Sequence, residues 1–128
     1  MVKNPAGANE VLRTLVLEPG RHHVLGVLND NIADGRDVSW VWDADFEVLA
    51  DRLERVTCAG TRAEELAVRF KYAGVPAERI VVRPELERAL DDATGAAAER
   101  LYALPTYTAM LELRELLARR GIAEGSFA

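Results

Sequence analysis

Apolar positions along this chain fall into two rhythms that alternate from end to end. Over 5–17, Val11, Leu12 and Leu15 recur at helical spacing, with Pro5 in the first turn, where a missing N–H costs nothing. The run HHVLGVL at 22–28 is short and continuously apolar, which predicts a buried strand. A second helix is predicted from Asp43–Asp45 to about Arg55, with Phe46, Leu49 and Leu53 inward and Asp43 or Asp45 as N-cap. RVTCAG at 55–60 is the next strand. The clearest helix is 61–74, where Ala63, Leu66, Ala67 and Phe70 share a face, Thr61 and Glu64 have capping-box spacing, and Gly74 supplies the stop. A strand at 79–83, a helix opened by Pro84, a strand at 100–105 and a last helix over 106–121, with Met110, Leu113 and Leu117 on one face, complete the pattern. The tail 122–128 reads as frayed.

Strict alternation of strands and helices with short connections predicts an α/β fold, a Rossmann-like three-layer sandwich. Its sheet is mainly parallel and has helices on both faces, because parallel neighbours need right-handed crossovers that cover the sheet. The length of 128 residues suits a single domain over 1–128. Such sheets bind ligands at the carboxyl ends of their strands, so the segment following 22–28 is where function is expected. The chain opens with a helix rather than a strand, as a sheet lacking its first strand or a domain cut from a longer protein would.

Composition narrows the classes. A net charge of −5 argues against a nucleic-acid surface, which needs clustered Lys and Arg. The single cysteine, Cys58, leaves no internal disulfide or multi-thiolate metal site, and its apolar setting favours a buried structural thiol. No apolar stretch reaches the ~18 residues of a membrane span, and no signal-peptide pattern is present, which points to the cytoplasm. Neither a GxxxxGK phosphate loop nor a GxGxxG turn occurs. The adjacent His22 and His23 point to opposite strand faces and read as strand-edge polar residues. Ser39 has no histidine or nucleophile elbow near it.

One stretch departs from this ordinary pattern. LNDNIADGRDVSWVWDADFE at 28–47 gathers Asp30, Asp34, Asp37, Asp43, Asp45 and Glu47 around Arg36 and holds both tryptophans, Trp40 and Trp42. Three readings stay open for the acids: turn formers and helix caps, with Asp34-Gly35 a turn; a magnesium or calcium site, although the spacing is not an EF-hand; or a carboxylate that serves chemistry supplied by another chain. If VSWVW is extended, Trp40 and Trp42 face the same way, either over the core or as anchors of an interface.

These residues closely resemble the C-terminal domain of the MurT family. The likeness continues in KNPAGAN at 3–9, GTRAEELAVRFKYAGV at 60–75 and LPTYTAMLELRELL at 104–117, in the family's order. MurT proteins are the Mur-ligase-like subunits of lipid II isoglutaminyl synthase. The resemblance implies a GatD-type glutamine amidotransferase as partner in a heterodimer, and lipid II as the substrate of the complex. It further implies amidation of the D-glutamate α-carboxylate to D-isoglutamine at the inner face of the membrane. The reaction uses glutamine-derived ammonia with ATP and Mg2+. The family's triad aspartate, donated across the subunit boundary to a Cys–His pair, falls on Asp37 of the motif Gly35-Arg36-Asp37-Val38-Ser39-Trp40. Arg36, Trp40 and Trp42 are then expected at the partner interface. Asn4, in Lys3-Asn4-Pro5, is carried over as a contact on the ATP side; the residues alone read equally well as a helix N-cap before proline. Thr61 at a helix start is able to hold an anion, and Pro105, Thr106 and Tyr107 to face the ligase cleft.

The family's N-terminal and central ATPase domains, with their phosphate loop and zinc-binding cysteines, have no counterpart here. The resemblance therefore implies an excised C-terminal domain, inactive alone, with no metal site and no bound cofactor of its own. Two alternatives stand beside it: a non-catalytic partner-docking or metal-binding domain, and the C-terminal domain of an amino-acid-adding Mur ligase.

Overall fold

A computed structural model describes residues 1–97 and 100–121. The tail 122–128, read above as frayed, lies outside the described residues. Four helices, α1 (Pro5–Leu17), α2 (Ala63–Tyr72), α3 (Leu86–Ala96) and α4 (Tyr107–Arg119), alternate with strands β1 (His22–Val27), β2 (Leu53–Ala59), β3 (Ile80–Val82) and β4 (Leu101–Pro105). The strands form one sheet in the order β3-β2-β1-β4, and every pairing is parallel. The expected α/β three-layer sandwich is what the chain adopts.

Alternation along each strand decides which helix packs where. Val24, Val56 and Cys58 face one layer with Leu12, Leu15, Leu66 and Phe70 of α1 and α2. Leu25, Val27 and Ala59 face the other with Leu86, Leu90, Leu113 and Leu116 of α3 and α4. Propagation from β1 through β2 to β3 runs toward one edge, and the return to β4 runs toward the other. With crossovers of one hand, that reversal puts the covering helices on opposite faces. The chain leaving β1 and the chain leaving β4 therefore part between two neighbouring strands, which is the crevice where sheets of this kind accept ligands.

Two sequence expectations need correction. The segment predicted as an α-helix to Arg55 is a 3-10 helix over Phe46–Arg52, and β2 begins at Leu53. Phe46 and Leu49 are both buried, and their spacing of three fits a 3-10 helix as well as an α-helix, so the apolar pattern alone does not choose between them. Neither Asp43 nor Asp45 caps it through a side chain; Asp45 instead donates its N–H to Asn9 Oδ1 on α1 at 2.7 Å. The Thr61–Glu64 capping box does not form either. α2 starts at Ala63 with no side-chain cap, Thr61 is engaged elsewhere, and Arg62 pairs with Glu65 and Asp30.

Gly60 makes the carboxyl end of β2 possible. Its φ is +99°, and a Cβ built there meets Leu28 O at 2.5 Å and Asn29 Oδ1 at 2.6 Å. Backbone strain and the clash act together, so Gly60→Ala is expected to destabilise the domain by about 2–3 kcal/mol, read as a lower urea midpoint at unchanged slope.

Candidate functional site

The segment after β1 does not hang free from the sheet. Asn29 is buried, and its N–H and both ends of its side-chain amide are bound to neighbours. Its N–H donates to Thr106 Oγ1 at 3.1 Å, its Nδ2 to Thr108 Oγ1 at 2.9 Å, and its Oδ1 accepts the Thr61 N–H at 3.0 Å. Asp30 and Thr61 exchange a second pair of bonds, Asp30 N–H to Thr61 Oγ1 at 3.0 Å and Thr61 hydroxyl to Asp30 Oδ1 at 2.8 Å. That hydroxyl, with Arg62 nearby, holds the Asp30 carboxyl below its ordinary pKa. Thr61 is thus a tie between strand ends rather than a free anion holder.

Asp34 does more than form the turn with Gly35. Its Oδ1 accepts the Thr108 N–H at 2.7 Å and its Oδ2 the Thr108 hydroxyl at 2.5 Å, seating a carboxylate on the N-terminus of α4. α4 has no acidic residue in its own first turn, and its N-cap Thr106 makes no side-chain cap bond. Asp34 therefore supplies from outside the charge that the exposed helix N–H groups favour. Thr106 itself is buried, occupied by the Asn29 N–H, so it does not face outward as a cleft residue would.

Past Asp34 the chain turns outward at Gly35, with φ +90°. Arg36 and Asp37 are exposed, and the next buried residue is Val38. Asp37 Oδ1 accepts the Ser39 N–H at 2.9 Å. Ser39, through its hydroxyl first and its N–H second, keeps the Asp37 carboxyl below the usual aspartate range, so it is ionised at neutral pH. No cation pairs with Asp37 among the described residues, and none of them pairs with Arg36.

The tryptophans do not share a face. Ser39–Trp42 is a 3-10 turn, in which residues two apart diverge, so Trp40 packs against the core while Trp42 is 45% exposed. Trp42 meets Tyr72 edge-on, with ring centroids 5.9 Å apart. Arg69 lies beneath it, 5.4 Å from the Trp42 ring and 5.2 Å from that of Phe46. Arg69 is 3% exposed and donates to Val41 O at 2.8 Å, Ala44 O at 2.7 Å and Glu47 Oε1 at 2.9 Å. The bond from Arg69 holds the Glu47 carboxyl below its ordinary pKa. Sequence reasoning missed Arg69, although its place three residues after Leu66 on the apolar face of α2 was a signal. It missed Asn29 and the Asp34–Thr108 tie as well, because partners 74 to 79 residues apart leave no local pattern.

Asp30, Asp34, Asp37 and Glu47 thus go to separate partners, and among the described residues no three His, Cys, Asp or Glu side chains come together as a metal site requires. His22 is buried with Nε2 2.9 Å from Leu15 O, and Cys58 is fully buried with its thiol pushed up to about 12 by desolvation, which makes it inert. Asn4 caps α1, its Oδ1 accepting the Gly7 N–H at 2.8 Å. The Val2 N–H donates to Pro105 O at 2.9 Å, which puts Asn4 at the carboxyl end of the sheet, the same end as Asp34 and Asp37. No helix of the described residues is long and apolar enough to cross a membrane.

A family model described as MurT ligase C-terminal matches residues 1–110. The chain belongs to the MurT ligase C-terminal family. It is 42% identical over 123 residues to the lipid II isoglutaminyl synthase (glutamine-hydrolyzing) subunit MurT of Streptococcus pneumoniae (strain ATCC BAA-255 / R6), covering 95% of this chain and 28% of that protein. It is 41% identical over 123 residues to the subunit MurT of Staphylococcus aureus (strain COL), covering 93% of this chain and 27% of that protein. The chain thus spans a little over a quarter of the length of these MurT relatives. Membership of this family sets aside the amino-acid-adding Mur ligase alternative.

Proposed function

We propose that this domain presents Asp37 to the Cys–His site of a GatD-type glutaminase subunit. The enzyme so formed amidates the D-glutamate α-carboxylate of lipid II with glutamine-derived ammonia. The observation that carries the reading is Asp37 itself. It is an ionised, solvent-facing carboxylate in GRDVSW, beyond the carboxyl end of a rigid parallel sheet and without a cation of its own. A carboxylate with no cation of its own, held at a defined place by the Ser39 N–H, is available to a group on another chain.

The chemistry follows from what a Cys–His pair requires. The imidazole takes the thiol proton and returns it to the departing ammonia, so it must keep one tautomer and carry a positive charge for part of the cycle. A carboxylate that accepts the other ring N–H fixes the tautomer and stabilises the imidazolium. Ser39 preorients Asp37 for this through the Oδ1 bond. Trp42, five residues on, is the exposed aromatic anchor of the same segment, and burial of its ring against the partner would exclude water and strengthen the Asp–His interaction. Arg36, exposed and unpaired among the described residues, is the cation available to a partner carboxylate.

ATP and Mg2+ belong to the proposed complete enzyme, and we place them in another domain of it. There is no phosphate loop, and the helix N-terminus that opens on the crevice between β1 and β4 already carries the Asp34 carboxylate. Asn4 is assigned at most to one edge of a nucleotide site built by another domain, since its Oδ1 is spent on the α1 cap. The test of the reading is Asp37→Asn in the two-subunit enzyme, with glutamine hydrolysis and subunit association measured on the same preparation. Lost turnover with intact association supports donation of Asp37; weakened association with normal turnover per complex would leave a docking role only.

A further inference from the structure

We infer that Asp34 is a positioning residue for Asp37, acting by clamping to the N-terminus of α4 the turn from which Asp37 projects. The inference rests on the reading of Asp37 given above. Between the end of β1 and Asp34, the chain is tied down repeatedly. Asn29 binds Thr61, Thr106 and Thr108; Asp30 binds Thr61; the Asn31 Nδ2 donates to Thr108 Oγ1 at 3.0 Å. Asp34, with both carboxylate oxygens on Thr108, is the last tie before the chain turns out at Gly35. The next fixed point is the buried Val38. Asp37 is therefore suspended on a three-residue span between two anchors, and the Asp34 clamp is the one that faces the carboxyl end of the sheet.

The clamp suits this task because it is specific in direction. Thr108 Oγ1 donates to Asp34 and accepts from Asn29 and Asn31, so its hydrogen-bonding capacity is used in full. The N–H of Thr108 and the partial positive charge of the helix end favour a carboxylate over an amide at the same place. Releasing it extends the unanchored span back from Gly35 toward Ile32 and lets Asp37 sample positions away from the imidazole it serves. Displacement of a catalytic group by about 1 Å is enough to cost up to about 100-fold in rate.

The experiment uses the complete two-subunit enzyme carrying Asp34→Asn, Thr108→Val, Asp37→Asn or the Asp34→Asn/Asp37→Asn pair. Expected is a fall of about 10- to 100-fold in kcat for glutamine hydrolysis with Asp34→Asn, at temperatures where the melting curve shows the protein folded. Thr108→Val, which keeps the N–H, loses less. Amidation of lipid II supported by added ammonium chloride, which needs no glutaminase, stays within about twofold. Because Asp34 acts through Asp37, adding Asp34→Asn to Asp37→Asn costs nothing further. An unchanged kcat in Asp34→Asn, an equal loss of the ammonium-supported reaction, or additive losses in the double variant would each overturn the inference. If Asp37→Asn itself hydrolyses glutamine normally, the reading of Asp37 fails instead, whatever Asp34→Asn does.

Discussion

Asp37→Asn in the complete two-subunit enzyme is expected to lower kcat for glutamine hydrolysis about 10^3- to 10^4-fold, the loss typical of amide replacement at the carboxylate of a nucleophile–His–carboxylate triad. The asparagine keeps the volume and one acceptor, and it can still take the Ser39 N–H. What it lacks is the charge that stabilises an imidazolium, and its Nδ2 is able to hold the ring in the wrong tautomer. Asp37 is exposed in this chain, so the substitution should leave the domain's melting temperature within about 2 °C, as for surface changes that break no buried contact. Because Ser39 holds the carboxyl below its ordinary pKa, Asp37 stays charged across the neutral range. The alkaline and neutral limbs of the wild-type pH profile are thus expected to report the Cys–His pair rather than Asp37.

Arg69→Ala is the second large effect, and it acts on stability. Removing the guanidinium leaves Val41 O and Ala44 O without their donors in a buried setting, at about 1–3 kcal/mol each. It also opens space under Trp42 and Phe46 and releases the turn over Ser39–Trp42. The expected cost is about 3–5 kcal/mol, in the range of broken buried charge networks, read as a fall in urea midpoint. The Glu47 partner contributes little of this, because its side chain is 57% exposed and solvent screens the pair. Its sign with pH is still defined. The folded-state pKa of Glu47 is depressed, so its small contribution is present above the unfolded value and is lost as pH falls through the folded one. Arg69→Lys should not rescue the domain, since an ammonium cannot bond Val41 O and Ala44 O in the fork geometry while lying flat between two rings.

The outline of the fold was open to reading because it depends on periodicity, which is local. Strands as continuously apolar as VLGV and RVTC, followed by a helix as well patterned as that of Leu66 and Phe70, leave few arrangements other than a covered parallel sheet. Where the pattern was short it misled. Phe46, Leu49 and Leu53 satisfy an α-helix, but the 3-10 turn with β2 entering at Leu53 buries the same three residues. VSWVW looks alternating, yet Val38 and Val41, three apart, are the buried valines, and that spacing turns Trp42 to the surface.

The candidate site divides in the same way. Asp37 stood out through its motif, and its exposure in the structure accords with a role outside its own chain. Asp34, three residues earlier and the same residue type, is half-buried and bound within its own chain; only the fold brings Thr108 to it. Sequence spacing carries no information about a contact between the ends of β1 and β4, and so the difference between the two aspartates was not visible from composition. Arg69 was hidden for another reason. Charged residues on an apolar helix face usually snorkel to water, whereas here three acceptors and two aromatic rings keep the guanidinium inside.

The proposed contact is a carboxylate against an imidazole across a subunit boundary, and its most direct reporter is the imidazole. The partner's catalytic histidine can be titrated by NMR in the assembled enzyme, with the nucleophilic cysteine replaced by alanine to remove coupling to the thiol. With Asp37 in place, the pKa of that histidine is expected to lie about 1–2 units above its value in the Asp37→Asn complex, because a nearby negative charge favours the protonated ring. The same pKa in both complexes would mean that Asp37 does not reach the histidine, and would contradict the assignment.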